Sequence, residues 1–213
     1  MKPAIALFAR APLPGRVKTR LIGRFSPGEV CNLYCAFVLD MWEKLAAFRP
    51  DAEILLYFDQ DHPEWRDLAG SHARLQQGAD LGQRMLRCFE EMQIAGCLPL
   101  LILGSDSPAL PAASLAPWTE LLAGSPALLG PAEDGGYYAI GCRSPHPLMF
   151  QGVEWSAPRT CAQTEAALRR CGLPPAYLPM SYDVDTPDAL SRLAAEPSLP
   201  PRTREWLRRY YKE

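Results

Sequence analysis

Three short polar segments carry carboxylates that could do chemistry: Ser105-Asp106-Ser107, Glu133-Asp134-Gly135-Gly136 and Asp183-Val184-Asp185. Asp106 ends the apolar run of Leu98–Gly104, where a buried strand gives way to a small polar turn. In an open parallel sheet, ligands bind in the crevice outside the carboxyl ends of the strands. A strand-end aspartate between two serines suits a hard divalent cation, Mg²⁺ or Mn²⁺, which takes one or two carboxylates and leaves its other positions to water and phosphate oxygens. The same Ser-Asp-Ser-Pro stretch is also ordinary turn chemistry, in which Asp106 caps the turn. Asp185 is the candidate second metal ligand. If it meets Asp106 across the strand ends, two carboxylates about 4 Å apart repel by ~4 kcal/mol at an effective dielectric near 20, and a shared cation removes that conflict. Asp183 has no assigned task beyond fixing its turn. Asp134 is the candidate catalytic group, able to orient or deprotonate a hydroxyl; its alternative is a hairpin turn residue.

The segment Arg10–Arg20 holds four cations and no acid. It follows the first apolar run, where nucleotide-binding α/β folds place a phosphate turn built from free backbone N–H groups and cationic side chains. Arg16, Lys18 and Arg20 are therefore candidate phosphate ligands, with a solvated basic loop as the alternative. The segment is not a Walker A loop, because no glycine immediately precedes Lys18-Thr19. Gln76 and Gln77 offer amides able to read a nucleobase edge, while Asp80 and Gln83 stand at capping-box spacing and read as structural. Trp155 reads as a packed aromatic or as the wall of an acceptor site.

Elements must bring these segments together. Apolar runs of strand length alternate with helical patterns: strands over Ala4–Ala9, Ala52–Asp59, Leu98–Gly104, Ala127–Pro131, Tyr137–Cys142 and Ala176–Met180, and helices over Pro27–Phe48, Asp80–Ala95, Leu115–Ala123, Arg159–Cys171 and Ala189–Ala195. Such alternation predicts an α/β chain with a three-layer α/β/α arrangement around a mostly parallel sheet. The link from Pro131 to Tyr137 is too short for a parallel crossover, so the sheet is expected to be mixed. Thr186 and Pro187 read as N-cap and first residue of a helix. The basic and aromatic tail Arg202–Glu213 reads as a docked helix rather than an RNA-binding arm.

Composition bounds the rest. The 213 residues, 48% hydrophobic, suit one domain over 1–213 with a large core. A net charge of −2 provides no field to attract nucleic acid or an anionic membrane. No run resembles a signal peptide or a membrane span, which gives a cytoplasmic expectation. Seven cysteines without a Cys-x-x-Cys pair argue against a disulfide framework or a structural zinc site.

Taken in order, Ala9–Leu21, Leu103–Leu110, Glu133–Gly141 and Asp183–Leu190 resemble the nucleotide-diphospho-sugar transferase superfamily, whose fold is glycosyltransferase type A. More narrowly they look like a bacterial glycosyltransferase-like branch, some members of which are linked to arsenosugar biosynthesis. The resemblance implies that Lys18 and Arg20 match the phosphate-loop cations, that Asp106 and Asp185 match the two metal ligands, and that Asp134 lies on the acceptor side. Two departures stand out. Prolines replace the Gly-rich turn of nucleotidyltransferases, and Ser105-Asp106-Ser107 has one aspartate where many glycosyltransferases have Asp-x-Asp. The expected reaction is metal-dependent transfer of a sugar from a nucleoside diphosphate to a small acceptor. Its alternatives are nucleotidyl transfer from a nucleoside triphosphate with release of pyrophosphate, and nucleotide binding by a regulator without catalysis.

Overall fold

The computed structural model describes residues 2–211. In chain order its elements are β1 (Ala4–Ala9), α1 (Pro27–Leu45), β2 (Glu53–Phe58), α2 (Pro63–Ala69), β3 (Ala73–Leu75), α3 (Leu81–Ile94), β4 (Leu100–Gly104), α4 (Ala112–Leu115), α5 (Trp118–Gly124), β5 (Ala127–Pro131), β6 (Tyr137–Cys142), α6 (Thr160–Arg170), β7 (Pro175–Tyr177), α7 (Pro187–Ala194) and α8 (Pro201–Tyr210). Every residue of β1 is buried, as a strand covered on both faces requires. Its side chains alternate between two cores. Ile5, Leu7 and Ala9 pack with Tyr34, Val38 and Met41 of α1, while Ala4, Ala6 and Phe8 share a cluster with Met85, Phe89 and Met92 of α3. The three-layer arrangement follows from that alternation.

The seven strands run in the order β3-β2-β1-β4-β6-β5-β7. Pairings among the first four are parallel, as is β5 with β7, and only β6 among the described strands runs against its neighbours. The expected mixed sheet is thus present, and the short Pro131–Tyr137 link is its cause. Reversal of β6 puts its first residue, Tyr137, at the sheet edge where β1, β4 and β5 end.

Local signals set the helix starts. The Ser26 hydroxyl accepts from the Glu29 N–H while the Glu29 carboxylate accepts from the Ser26 N–H, a complete capping box ahead of Pro27. Thr186 caps α7 with Pro187 as its first residue, as the sequence reading expects. Asp80 caps α3 through the Gln83 N–H at 2.8 Å, but Gln83 Oε1 reaches back to the Ala79 N–H instead of completing the box at Asp80.

Some boundaries differ from expectation. The helix expected over Leu115–Ala123 is two short ones, because Pro117 lacks the N–H that would continue α4. The last strand, expected over Ala176–Met180, is regular only over Pro175–Tyr177, with looser pairing continuing past it. Two elements were not anticipated, the seven-residue α2 and the three-residue β3, both too short to show a period. The tail does form a docked helix: the buried Asp40 carboxylate accepts from the Thr203 N–H and hydroxyl at 2.8 and 2.7 Å, and Trp206 donates to the Glu29 carbonyl. Lys212 and Glu213 of the expected tail lie outside the described residues. All seven cysteine thiols are free, and no helix among the described residues is long and apolar enough to cross a membrane.

Candidate functional site

The carboxyl edge of the sheet brings together the Arg10–Arg20 loop, Asp106 and the Asp183–Asp185 segment. Past β7 the chain stays paired with the extension of β5: Leu178 donates to the Leu129 carbonyl, Ser181 to Pro131, and Glu133 to Ser181. It then crosses the end of β4, where the Val184 N–H donates to the Asp106 carbonyl at 2.9 Å. That single backbone bond sets Asp183 and Asp185 beside Asp106. Val184 points the other way, fully buried with Leu190 and Leu193.

Asp106 and Asp185 do meet. Both converge on Lys18, whose Nζ lies 2.6 Å from Asp106 Oδ1 and 2.5 Å from Asp185 Oδ1. The ammonium is almost sealed, with 3% of its side chain exposed against 39% and 45% for the two aspartates. Burial pulls the Lys18 pKa down, but the charges and hydrogen bonds of Asp106 and Asp185 outweigh it and hold the pKa above its ordinary value. Lys18, a candidate phosphate ligand by its sequence, points inward from its loop. Its flanks explain the direction, since Val17 and Leu21 are anchored in the core and Lys18 itself takes a left-handed backbone, φ 47°. Arg16 and Arg20 remain exposed on the loop with no side-chain polar partner among the described residues.

The donor set fits a hard divalent cation: two solvent-reaching aspartates, oxygen ligands only, already directed at one cationic atom. Among the described residues no group of three or more His, Cys, Asp or Glu side chains is disposed to hold a metal. Water or substrate oxygens would have to complete the coordination of any ion bound there.

Asp183, left without a task by its sequence, is a half-buried carboxyl that accepts from the Ser107 hydroxyl at 2.8 Å. Burial, with the Asp106 charge next, pushes its pKa up to about 6. Asp134 is exposed and accepts from the Gly136 N–H at 2.9 Å, fixing its own turn. It also stands near enough to Asp183 to repel it. Gln76 spends its amide nitrogen on the Ala9 and Tyr57 carbonyls at 3.1 and 3.0 Å, so only Oε1 is left to face a ligand. Gln77 is exposed. Trp155 is packed, its ring stacked so closely on α3 that a Cβ on Gly82 would come within 2.5 Å of it.

Sequence reasoning missed the groups that hold the Arg10–Arg20 loop. The Arg10 N–H donates to the Tyr34 hydroxyl at 2.5 Å and the Ala11 N–H to Asp59 Oδ1 at 2.7 Å, while Trp65 Nε1 donates to the Arg10 carbonyl. Ser105 also reaches the Tyr34 hydroxyl, at 3.4 Å, joining the loop to the end of β4. Lys44 of α1 donates to the Pro108 and Leu110 carbonyls, pinning the turn that follows Asp106. Each of these residues sits in an apolar helical or strand-end context, where sequence pattern gives only a packing signal.

A model of the family described as an uncharacterized protein conserved in bacteria (DUF2064) matches residues 43–157. The chain is similar over 98% of its length to a crystal structure from Desulfovibrio desulfuricans G20, assigned as a nucleotide-diphospho-sugar transferase, with 31% identity, 95% of that chain covered and a TM-score of 0.86. Two more distant structures share the fold. One is a CMP:2-keto-3-deoxy-manno-octonic acid synthetase complexed with CTP, at 14% identity and TM-score 0.53, covering 90% of this chain and 96% of that one. The other is a cytidylyltransferase from Leptospira borgpetersenii serovar Hardjo-bovis, at 15% identity and TM-score 0.55, covering 98% and 94%. No curated protein sequence matches the chain. On the family match and the full-length likeness together, this chain belongs to the DUF2064 family and carries the nucleotide-diphospho-sugar transferase fold.

Proposed function

We propose that the protein is an enzyme that binds a nucleoside-diphosphate sugar at the carboxyl edge of the sheet and transfers the sugar to a small acceptor, with Mg²⁺ or Mn²⁺ as cofactor. The observation that carries this reading is the convergence of Asp106 and Asp185 on one cation position beside the basic loop. The Desulfovibrio relative, assigned to the same kind of chemistry, supports it.

Asp106 and Asp185 would hold the metal, whose charge, when bound, offsets that of the departing diphosphate. Arg16 and Arg20, exposed and free of carboxylates, bind phosphate oxygens. Tyr34, Asp59 and Trp65 keep the loop's main chain fixed, so that binding spends little on ordering it. Gln76 Oε1 and the Gln77 amide are available to the base. Asp134, on the turn at the far side of the aspartates, accepts the proton of the acceptor hydroxyl. Its second oxygen is left for that role once Oδ1 has taken the Gly136 N–H.

Nucleotidyl transfer is the second reading, favoured by the exposed cations of the Arg10–Arg20 loop, which suit a triphosphate. Phosphorus NMR separates the two. With Mn²⁺ and each nucleoside-diphosphate sugar in turn, sugar transfer predicts release of the nucleoside diphosphate, to water when no acceptor is supplied. Pyrophosphate released from a triphosphate in the presence of sugar phosphates, with every diphosphate sugar left intact, would replace it by the second reading.

A further inference from the structure

Lys18 differs from the other cations of its loop. Arg10, Arg16 and Arg20 are exposed, whereas the Lys18 ammonium is shut between Asp106 and Asp185 and lies 5.6 Å over the Phe37 ring. It reaches that position from a left-handed backbone, φ 47° and ψ 39°, a conformation that a residue with a Cβ adopts at a cost. A buried cation on two carboxylates, fed by a backbone region that disfavours it, is a contact with two possible partners rather than a permanent strut.

We propose that Lys18 is a displaceable occupant of the cation position: its ammonium holds Asp106 and Asp185 together until a divalent ion enters, and the expelled ammonium then becomes a phosphate ligand. This rests on the metal assignment made above. Two cations cannot share the gap between the same two oxygens, so the entering ion must move Nζ away. Once it leaves both carboxylates, the ammonium is compensated by the anionic ligand of the same loop, and the Asp183 carboxyl also stands near enough to feel its charge. Divalent ion and diphosphate are therefore coupled through one side chain, each easing the other's binding, as linkage requires. The ion alone binds poorly because it must strip Lys18 of both partners.

Binding of Mn²⁺ alone tests this, with the free ion counted by electron paramagnetic resonance. Lys18→Met removes the competitor and is expected to bind Mn²⁺ about tenfold more tightly than the parent. Equal or weaker binding in the variant, with Mn²⁺ bound by the parent, overturns displacement and leaves the metal assignment standing. No Mn²⁺ on either protein at millimolar concentration overturns the metal assignment itself, and the proposal with it. Because Lys18→Met leaves two aspartates unpaired and could fail to fold, a second measurement uses the unaltered protein. Reductive methylation of Lys18, quantified by peptide mass spectrometry with Lys2 as the internal reference, should rise severalfold when Mn²⁺ is added. Labelling of Lys18 that stays the same or falls overturns the proposal.

Discussion

The Arg10–Arg20 loop is held at its start by side chains from three places, namely Tyr34 in α1, Asp59 after β2 and Trp65 in α2, with Gln76 after β3 on the preceding Ala9 carbonyl. The Glu133–Gly136 turn, on the other side of the same aspartates, is held almost entirely by main-chain bonds: Ala132 N–H to the Gly136 carbonyl, Gly135 N–H to Ala132, Glu133 N–H to Ser181 and Cys161 N–H to Gly135. Among the described residues its one side-chain clamp to the rest of the fold is the exposed Glu133–Arg192 pair, the kind of ion pair that contributes little. The difference teaches where each region can tolerate change. The fold of the loop depends on particular side chains packed beneath it and not on its exposed cations. The turn depends on backbone geometry, and one oxygen of Asp134 is engaged only with the turn itself.

Substitutions should separate the two. Gly135→Ala attacks the turn where it is fragile, since Gly135 has φ +87° and a Cβ there would stand 1.9 Å from the Pro158 carbonyl oxygen. Backbone strain and overpacking together should cost about 4 kcal/mol in denaturant unfolding. A change under about 0.5 kcal/mol would mean that the turn is not held as described. Asp134→Asn in the same turn should do the opposite, leaving stability and donor binding alone because an amide oxygen still accepts from Gly136. Sugar transfer should slow by about 100-fold, and unchanged turnover would reduce Asp134 to a turn residue. On the loop, Tyr34→Phe removes the acceptor of the Arg10 N–H and should cost about 1–3 kcal/mol of stability, with weaker diphosphate binding. Equal stability and affinity in calorimetry would show that the loop needs no such tie.

A further effect is a pH dependence. Burial lowers the Lys44 pKa to about 8, the Asp40 charge opposing the shift only in part. Between about pH 8 and the ordinary lysine value near 10.5, the unfolded chain carries a proton that the folded one has lost, so Lys44 makes stability rise with pH across that window. Unfolding of the parent and of Lys44→Met, compared from pH 7 to 10.5, should show the parent gaining relative to the variant. A constant difference would contradict the assignment.

Much of this arrangement was legible in the residues. Leu98–Gly104 announces a buried strand, the short link to Tyr137 announces the antiparallel β6, and Thr186-Pro187 marks the start of α7, because each is local chemistry with one solution. Asp106 and Asp185 were recognisable as candidates from their places after a strand and before a helix, although the Ser-Asp-Ser-Pro stretch offers Asp106 a turn-capping duty as well. Lys18 was readable as a cation but not as an inward one, since its direction is set by Val17 and Leu21 packing into the core and by a left-handed backbone that lysine does not signal. Tyr34, Asp59 and Trp65 were illegible because their tasks arise only when α1, β2 and α2 pack around the end of β1. Gln76 was read as free, but the β3 it follows is too short to be seen, and its position beside Ala9 and Tyr57 depends on that strand.

The most direct measurement is a thermal-shift series with Mg²⁺ or Mn²⁺, comparing nucleoside-diphosphate sugars with nucleoside triphosphates on the parent and on Asp106→Ala. Ligand at about a hundred times its dissociation constant adds ~2.7 kcal/mol, or roughly 5–10 °C at this size. A metal-dependent rise with a diphosphate sugar that disappears in Asp106→Ala is the predicted result. A rise that persists without metal, or equally in Asp106→Ala, would contradict the metal site, and no rise with any nucleotide would contradict the proposed function.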